Sequence, residues 1–323
     1  MDREMTLGLN EQAAEIADSM AEHAAILRVR TVTLASGARV IDAGVEVDGG
    51  YDAGLALAEI CMGGLGNVAY TPVVIGQRSW PGVNVWTDHP AVSCMASQYA
   101  GWAISVDKFF AMGSGPLRAH ARVEKDLFEK LGYAEEAKHG VLVLETRTLP
   151  DDKVAKWVAE KARLKPSQLT FVVAPTASLA GGVQISARIL ETGLHKMEVL
   201  GFDVRRVVSG MGFAPLSPVA KNDLRAIGWT NDCILYGGQA HYTIRAGDEE
   251  LAELAEKVPA SASRDYGTPF YETFKRYDGD FYKIDPLLFS PAEIWLTSKE
   301  TGRTFHAGRL NPEVLEASLT PTS

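Results

Sequence analysis

Cysteine is scarce in this sequence of 323 residues, and its cysteines are far apart. Cys61, Cys94 and Cys233 form an odd set with no close pair. A disulfide framework and a C-x-x-C metal or redox site both need paired cysteines, so the spacing argues against each of them. We expect three reduced thiols in a cytoplasmic protein.

Positive charge is also in short supply. The chain has 32 Lys and Arg against 41 Asp and Glu, a formal net charge of −9. Sequence-independent binding to nucleic acid or to an anionic membrane needs a basic surface that displaces counterions. We therefore expect neither partner, and a neutral or cationic small molecule fits this charge better.

Long apolar runs and targeting signals are missing as well. No apolar run approaches the ~20 residues of a membrane span. The first ten residues, "MDREMTLGLN", lack the basic start and apolar core of a secretory signal. Both observations favour a cytoplasmic protein.

The sequence contains none of the specific signatures of metal or nucleotide sites. Its seven histidines are dispersed, without H-x-H or H-E-x-x-H spacing, and "YDGDFYKIDP" does not complete a calcium loop. Neither G-x-G-x-x-G nor G-x-x-x-x-G-K-[ST] is present. The nucleophile elbow G-x-S-x-G is absent too, although the members of a catalytic triad need meet only in space. We expect no metal and no bound cofactor.

What the sequence does contain is a repeated alternation of helical and strand patterns. A chain of this length usually forms two domains, and we predict an α/β fold, with domains at 1–148 and 149–323. The turns "AMGSGP" (111–116) and "GMGFAP" (210–215) match, and the hairpin pattern at 32–44 has an echo at 295–308. The halves are therefore either related, with segments in permuted order, or built from βα units that converged on glycine-rich turns.

Four local patterns give more detailed expectations. We predict helices at 90–102 and 116–132, a turn at 210–218 and a strand in "CILYGGQAHYTIR" (233–245).

Three glycine-rich segments are candidates for ligand contact: "GGLG" (63–66), "GSG" (113–115) and "GG" (181–182). Tight turns explain most such segments. Gly113, Ser114 and Gly115 precede a predicted helix, where free backbone N–H groups can bind an anionic or carbonyl group.

The segment "APTASLAGGVQISARILETGLHKM" (174–197) combines glycines with a cation and an anion. Arg188 and Glu191 are three residues apart, so on a helix they share a face. Val183, Ile185 and Leu190 make an exposed helix improbable, and a carboxylate beside a cation in an apolar setting can act as a general base. An ordinary surface ion pair is the alternative. Because Gly181 and Gly182 are unfavourable in a helix, we expect them to leave the backbone open to a ligand.

Several long segments, in the same order, resemble the methenyltetrahydromethanopterin cyclohydrolases of methanogens and methylotrophic bacteria. They are "GLALAEICMGGLGNV", "TDHPAVSCMASQYAGW", "FFAMGSGPLRA", "VAPTASLAGGVQISARILETGLHK", "TNDCILYGG" and "DFYKIDPLLFSPAE". The resemblance implies hydrolysis of a methenyl bridge on a reduced pterin, without a metal or redox cofactor. It also implies two related α/β domains with mixed sheets, a deep pocket between them, and a homo-oligomer, a trimer where described.

The same resemblance places the family's functional residues on this chain. Arg188 and Glu191 match the catalytic pair. The substrate-binding candidates are Gln98, Tyr99, Gly113, Ser114, Gly115, Ser178, Gly181, Gly182 and Gln184.

One departure concerns the segment "ASQYAGW", where members from methanogens carry a lysine and this chain has Tyr99. The difference fits a methylotroph-type member whose carrier is dephosphorylated tetrahydromethanopterin. Two alternatives remain open at this stage: a cyclohydrolase or formyl transferase for tetrahydrofolate, and a pterin-binding protein without catalytic activity.

Overall fold

A computed structural model describes residues 8–280 and 283–320 of the chain. The first seven residues, part of the segment "MDREMTLGLN" that was predicted not to be a secretory signal, lie outside these ranges, as do two residues of "DFYKIDPLLFSPAE". Within the two ranges, no helix is long and apolar enough to cross a membrane.

The helices of the described residues are α1 Leu9–Glu22, α2 Ala24–Leu27, α3 Tyr51–Cys61, α4 Leu117–Ala121, α5 Lys125–Leu131, α6 Asp152–Ala162, α7 Leu179–Ser186, α8 Ile189–Val199, α9 Asp223–Gly237, α10 Asp248–Lys257, α11 Phe270–Arg276 and α12 Pro312–Leu319. A π-helix spans Ala91–Gln98. The strands are β1 Arg30–Thr33, β2 Arg39–Asp42, β3 Asn67–Ile75, β4 Arg78–Thr87, β5 Trp102–Val106, β6 Phe109–Ser114, β7 Gly140–Glu145, β8 Leu169–Val173, β9 Val207–Pro215, β10 Gln239–Ile244, β11 Glu293–Ser298 and β12 Thr304–Gly308.

The chain forms two compact units, and each is built from two segments. Unit 1 comprises 1–66 and 92–181, and unit 2 comprises 67–91 and 182–323. The chain passes from unit 1 to unit 2 within α7, between Gly181 and Gly182. The domain boundary expected from the sequence, at 148/149, refers to domains that fold independently. The division into compact units does not test independent folding, so this boundary stays a prediction.

Unit 1 is a six-stranded mixed sheet covered by helices on both faces. Its strand order is β1-β2-β8-β7-β6-β5, with parallel pairs β2/β8 and β7/β8 and antiparallel pairs elsewhere. Side chains alternate along β7, so Val141 and Val143 pack in one apolar cluster with α1 and α3, whereas Leu142 and Leu144 pack in another with α6. Burial of both faces explains why β7 and β8 are mostly apolar.

Unit 2 contains a second six-stranded mixed sheet, ordered β12-β11-β10-β9-β4-β3. Only the pair β10/β11 is parallel. Helix α8 lies against this sheet, and a separate cluster joins α9, α11 and α12 to β3. The predicted α/β fold with two mixed sheets is confirmed. The hairpins expected from the patterns at 32–44 and 295–308 are β1/β2 and β11/β12, and each lies at one end of its sheet. The central pairs of the two sheets differ, because β7/β8 is parallel whereas β9/β10 is antiparallel.

The structure corrects four local predictions. Residues 210–215 form the second half of strand β9 and not a turn. Residues 233–237 are the last turn of α9, so the strand begins only at Gln239. The helix predicted at 90–102 is the shorter π-helix, and the helix predicted at 116–132 is divided into α4 and α5 by Arg122, which has a left-handed backbone conformation (φ 51°).

Candidate active site

Arg188 and Glu191 lie where one helix ends and the next begins. Helix α7 stops at Ser186, and Arg188 is the residue that precedes the first turn of α8, with φ −78° and ψ 7°. The spacing predicted from the sequence brings their charged groups together: Arg188 Nη1 is 3.9 Å from Glu191 Oε2. Both side chains are about nine-tenths buried. The pair is therefore not an exposed surface ion pair of the ordinary kind.

Gln184, one turn before Arg188, holds the guanidinium in place. Its Oε1 accepts hydrogen bonds from Arg188 Nε (3.2 Å) and from Nη2 (3.1 Å). Glu191 lies in the first turn of α8, where the partial positive charge of a helix start favours an anion. Gln184, Arg188 and Glu191 are spaced four and three residues apart, so the guanidinium is held by Gln184 and faces the Glu191 carboxylate.

Helix α8 is held tightly against the unit 2 sheet by glycines. A side chain at Gly212 would overlap Ile189, and one at Gly193 would overlap the Tyr242 hydroxyl, which donates a hydrogen bond to the Leu190 carbonyl (2.9 Å). Close backbone approach of this kind is a common reason for glycine inside a strand. It leaves little freedom to the turn that carries Glu191.

The two adjacent glycines of α7 have different surroundings. A Cβ at Gly181 would overlap the Pro175 carbonyl oxygen, and the Gly181 N–H donates to Ser178 Oγ (3.0 Å), so this glycine allows close packing at the helix start. A Cβ at Gly182 would meet only Ser217 Oγ, at 3.9 Å. Of the pair, Gly182 alone matches the sequence-based expectation of an open backbone.

A second group of candidates comes together in unit 1. The π-helix ends at Gln98, and the Gly115 N–H donates to the Ser97 carbonyl (2.8 Å), which joins the "ASQY" and "GSG" segments. Gly113 and Ser114 are the last residues of β6, and Ser114 Oγ lies 3.6 Å from Cys61 Sγ. Gln98 and Ser114 are buried, whereas Tyr99 is half-buried. A π-helix of eight residues is a rare element.

The candidates are thus divided between the units. Gln98, Tyr99, Gly113, Ser114, Gly115, Ser178 and Gly181 belong to unit 1, and Gly182, Gln184, Arg188 and Glu191 belong to unit 2. The expected pocket between domains stays a prediction.

Two further kinds of site, a metal centre and a separate cavity, bear on what the protein could bind. Across 8–280 and 283–320, no group of three or more His, Cys, Asp or Glu residues is arranged to hold a metal ion. A cavity of about 520 Å³ in unit 1 is lined by Arg122, Lys125, Lys161 and Arg163 among others, but by none of the candidate site residues. Arg122, Lys161 and Arg163 lie at the ends of α4 and α6, where basic side chains are favourable without any ligand, and Lys125 is the first residue of α5.

Comparison with known proteins shows the family of this chain. A family model described as Cyclohydrolase (MCH) matches residues 8–319. The chain belongs to the cyclohydrolase (MCH) family. Relatives that carry the name methenyltetrahydromethanopterin cyclohydrolase include proteins from Methylobacillus flagellatus (46% identical over 312 residues, 96% of this chain and 95% of the relative), Methylobacterium organophilum (45% over 317 residues, 96% and 97%) and Methanococcoides burtonii (43% over 314 residues, 97% and 98%). The resemblance inferred from the sequence is confirmed.

One residue of this cyclohydrolase that contacts candidate site residues was not singled out from the sequence. Arg118, in the first turn of α4, is completely buried and donates to the Ser97 carbonyl (3.0 Å). The sequence gives no local signal for Arg118, because its partners Glu124, Ser97 and Met95 lie 6 to 23 residues away along the chain.

Proposed function

We propose that this cyclohydrolase hydrolyses 5,10-methenyltetrahydromethanopterin to the N5-formyl compound in one-carbon metabolism. The observation that carries the proposal is the buried Arg188–Glu191 pair, fixed by Gln184, in a chain that matches relatives of this name over nearly its whole length. Relatives from Methylobacillus and Methylobacterium support a methylotroph-type enzyme. For that type we propose the dephosphorylated carrier and a role in formaldehyde oxidation.

The chemistry needs a base and a positioned water more than it needs a cofactor. The methenyl carbon belongs to a delocalised amidinium cation and is already electrophilic. Glu191 accepts one proton as the water oxygen bonds to this carbon, which gives a neutral tetrahedral adduct. The protonated Glu191 then delivers that proton to the aryl-side nitrogen, the bond from carbon to this nitrogen breaks, and the adduct hydroxyl loses its proton. The products are the formyl group on the pterin-side nitrogen and one released proton.

Arg188 and Gln184 have supporting roles in this scheme. The guanidinium favours the ionised form of Glu191 because opposite charges attract strongly away from bulk water. Gln184 fixes the plane of the guanidinium, and a carboxylate near the amidinium also stabilises its positive charge.

The remaining parts of the proposal concern ligands and assembly. The pterin carrier is the substrate, no further cofactor takes part, and the nine substrate-binding candidates bind the carrier. We also propose a cytoplasmic homo-oligomer, a trimer as in described family members.

The test of this function is turnover of two carriers by the purified protein. We expect loss of the methenyl absorbance with methenyl-tetrahydromethanopterin at catalytic protein concentration, and a much lower kcat/KM with methenyl-tetrahydrofolate. Preference for the folate carrier would assign a different substrate. Stoichiometric binding without loss of absorbance would mean a pterin-binding protein.

A further inference from the structure

Arg118 is a fully buried cation outside the catalytic pair, and its donors point at the segment that carries Gln98 and Tyr99. Its Nη1 donates to the carbonyl oxygens of Met95 (3.2 Å) and Ser97 (3.0 Å). Both carbonyls belong to the last turn of the π-helix, where helix geometry leaves acceptors without helical partners. The guanidinium therefore caps the end of this helix.

The charge of Arg118 is balanced by Glu124, which fixes its orientation. Arg118 Nε donates to Glu124 Oε1 at 2.7 Å. A side chain at Gly101 would overlap both the Glu124 carboxylate and the ring of Tyr99, so the glycine is what lets these two groups lie over the backbone at this point.

Arg118 also contacts Tyr99 directly. Its guanidinium carbon lies 5.2 Å from the centre of the Tyr99 ring, within the range of a cation–π interaction. The Ser97 carbonyl that accepts from Arg118 also accepts from the Gly115 N–H. One side chain is thus connected to the π-helix end, to the Tyr99 ring and, through one shared acceptor, to the glycine turn.

Stability alone is a weak reason to keep such a cation. Replacing a buried ion pair with apolar residues of similar volume is often neutral or stabilising. The contacts of Arg118 are directional, and they converge on backbone atoms next to candidate substrate-binding residues.

We propose that Arg118 is a positioning residue that holds Gln98 and Tyr99 against the Gly113–Gly115 turn for binding of the pterin carrier. The proposal rests on the proposed function for its ligand. Arg118 does not touch the reacting atoms in this account, so its loss affects carrier binding more than the chemical step.

The test uses Arg118→Lys, Arg118→Met and, as a matched control, Arg122→Lys. Lysine keeps the charge but cannot bond both carbonyls and Glu124 with one planar fork. Arg122 is exposed at the end of the same helix and pairs with Glu136. We expect Arg118→Lys to raise KM about tenfold or more, as loss of a charge-assisted hydrogen bond would, with kcat within about threefold. Arg118→Met should raise KM further, and the control should match wild type.

Hydrogen exchange provides a readout that does not depend on turnover. We expect faster exchange of the amides in 91–99 and at Gly115 in Arg118→Lys, with exchange in α8 unchanged. If wild-type protein does not hydrolyse the carrier, the proposed function fails, and exchange together with carrier affinity still decides the role of Arg118.

Two results would overturn the proposal. One is a folded Arg118→Lys with unchanged KM and unchanged exchange in 91–99. The other is a loss of activity that only follows the loss of folded protein, with KM constant, which would make Arg118 purely structural. If both Arg118 variants fail to fold, Glu124→Gln is measured in the same way, because it releases the guanidinium without removing it, and an unchanged KM in that variant overturns the proposal too.

Discussion

At the scale of single residues, we expect Arg188 and Gln184 to support Glu191 in two different ways. We expect Arg188 to supply charge and Gln184 to supply orientation, because the Gln184 side-chain oxygen accepts from Arg188 Nε and Nη2. Variants of the two residues should therefore differ in pH dependence and not only in rate.

Arg188→Gln should move the acid limb of the kcat/KM profile to higher pH. Removing the cation makes the ionised form of Glu191 less favourable while its burial remains, so activity at neutral pH falls and partly returns as the pH rises. Gln184→Leu is the control: it should lower the rate and leave the acid limb in place. An unmoved acid limb in Arg188→Gln would show that Arg188 acts by positioning and does not set the protonation of the base.

Although Gly181 and Gly182 are neighbours, we expect their replacement to have opposite effects on the melting temperature. Gly182→Val should leave the melting temperature unchanged or slightly higher, because valine is better than glycine in a helix and a Cβ finds room there. Gly181→Ala should lower it, because the Cβ overlaps the Pro175 carbonyl. Carrier affinity, measured with Glu191→Gln present to prevent turnover, should fall about tenfold in Gly182→Val, as loss of about 1.4 kcal/mol of binding free energy would produce. Normal affinity in that variant would refute the ligand interpretation of Gly182.

At the scale of secondary-structure elements, Asp232 joins three helices of unit 2. This residue of α9 accepts from the Phe270 N–H at the start of α11 (2.8 Å) and from the Ser318 hydroxyl on α12. Burial raises the pKa of Asp232 from 3.8 to about 7. Between these pH values the folded protein holds a proton that the unfolded chain has released, so this contribution to stability is full below about pH 4 and is lost as the pH rises through 7.

Asp232→Asn removes this titration while keeping an acceptor and a donor. The free energy of unfolding of the Asn variant, relative to wild type, should rise by roughly 1.4 kcal/mol per pH unit between pH 5 and 7 and level off above. Chemical denaturation of both proteins across this range measures the difference and cancels the other titrating groups. A constant difference would mean that Asp232 is ionised in the folded protein throughout.

Local sequence patterns predicted elements well where the pattern had a single physical cause. Both hairpin patterns consist of two short strand-like runs around a glycine with positive φ, Gly37 and Gly302, and both hairpins are confirmed. The segment 210–215 contains glycines for a different reason. Gly210 and Gly212 lie in a strand, and the absence of their side chains leaves room for Leu190 and Ile189 of α8. Such close packing is tertiary and cannot be distinguished from a turn in one sequence. The apolar run 233–237 was equally ambiguous, because a buried helix end and a buried strand have the same composition.

At the scale of the whole molecule, the same limit applies to the site. The spacing of Arg188 and Glu191 predicted their proximity, because both lie on one local stretch of chain. The contacts of Arg118 with Met95, Ser97 and Glu124 join separate elements, and no local pattern indicates them. Local patterns also do not indicate which segments form each unit. Strands β3 and β4 belong to the unit that contains most of the second half of the chain, and 149–181 belongs to the other unit.

The most direct test of the central claim is hydrolysis by Glu191→Gln, with Glu198→Gln on the same helix as the control. The amide keeps the size of Glu191 but cannot act as a base, so kcat should fall ~10²- to 10⁴-fold while carrier affinity stays within a few-fold. Glu198→Gln should retain wild-type kcat. A Glu191→Gln variant that keeps more than about a third of the wild-type rate would contradict the assignment of Glu191 as the general base.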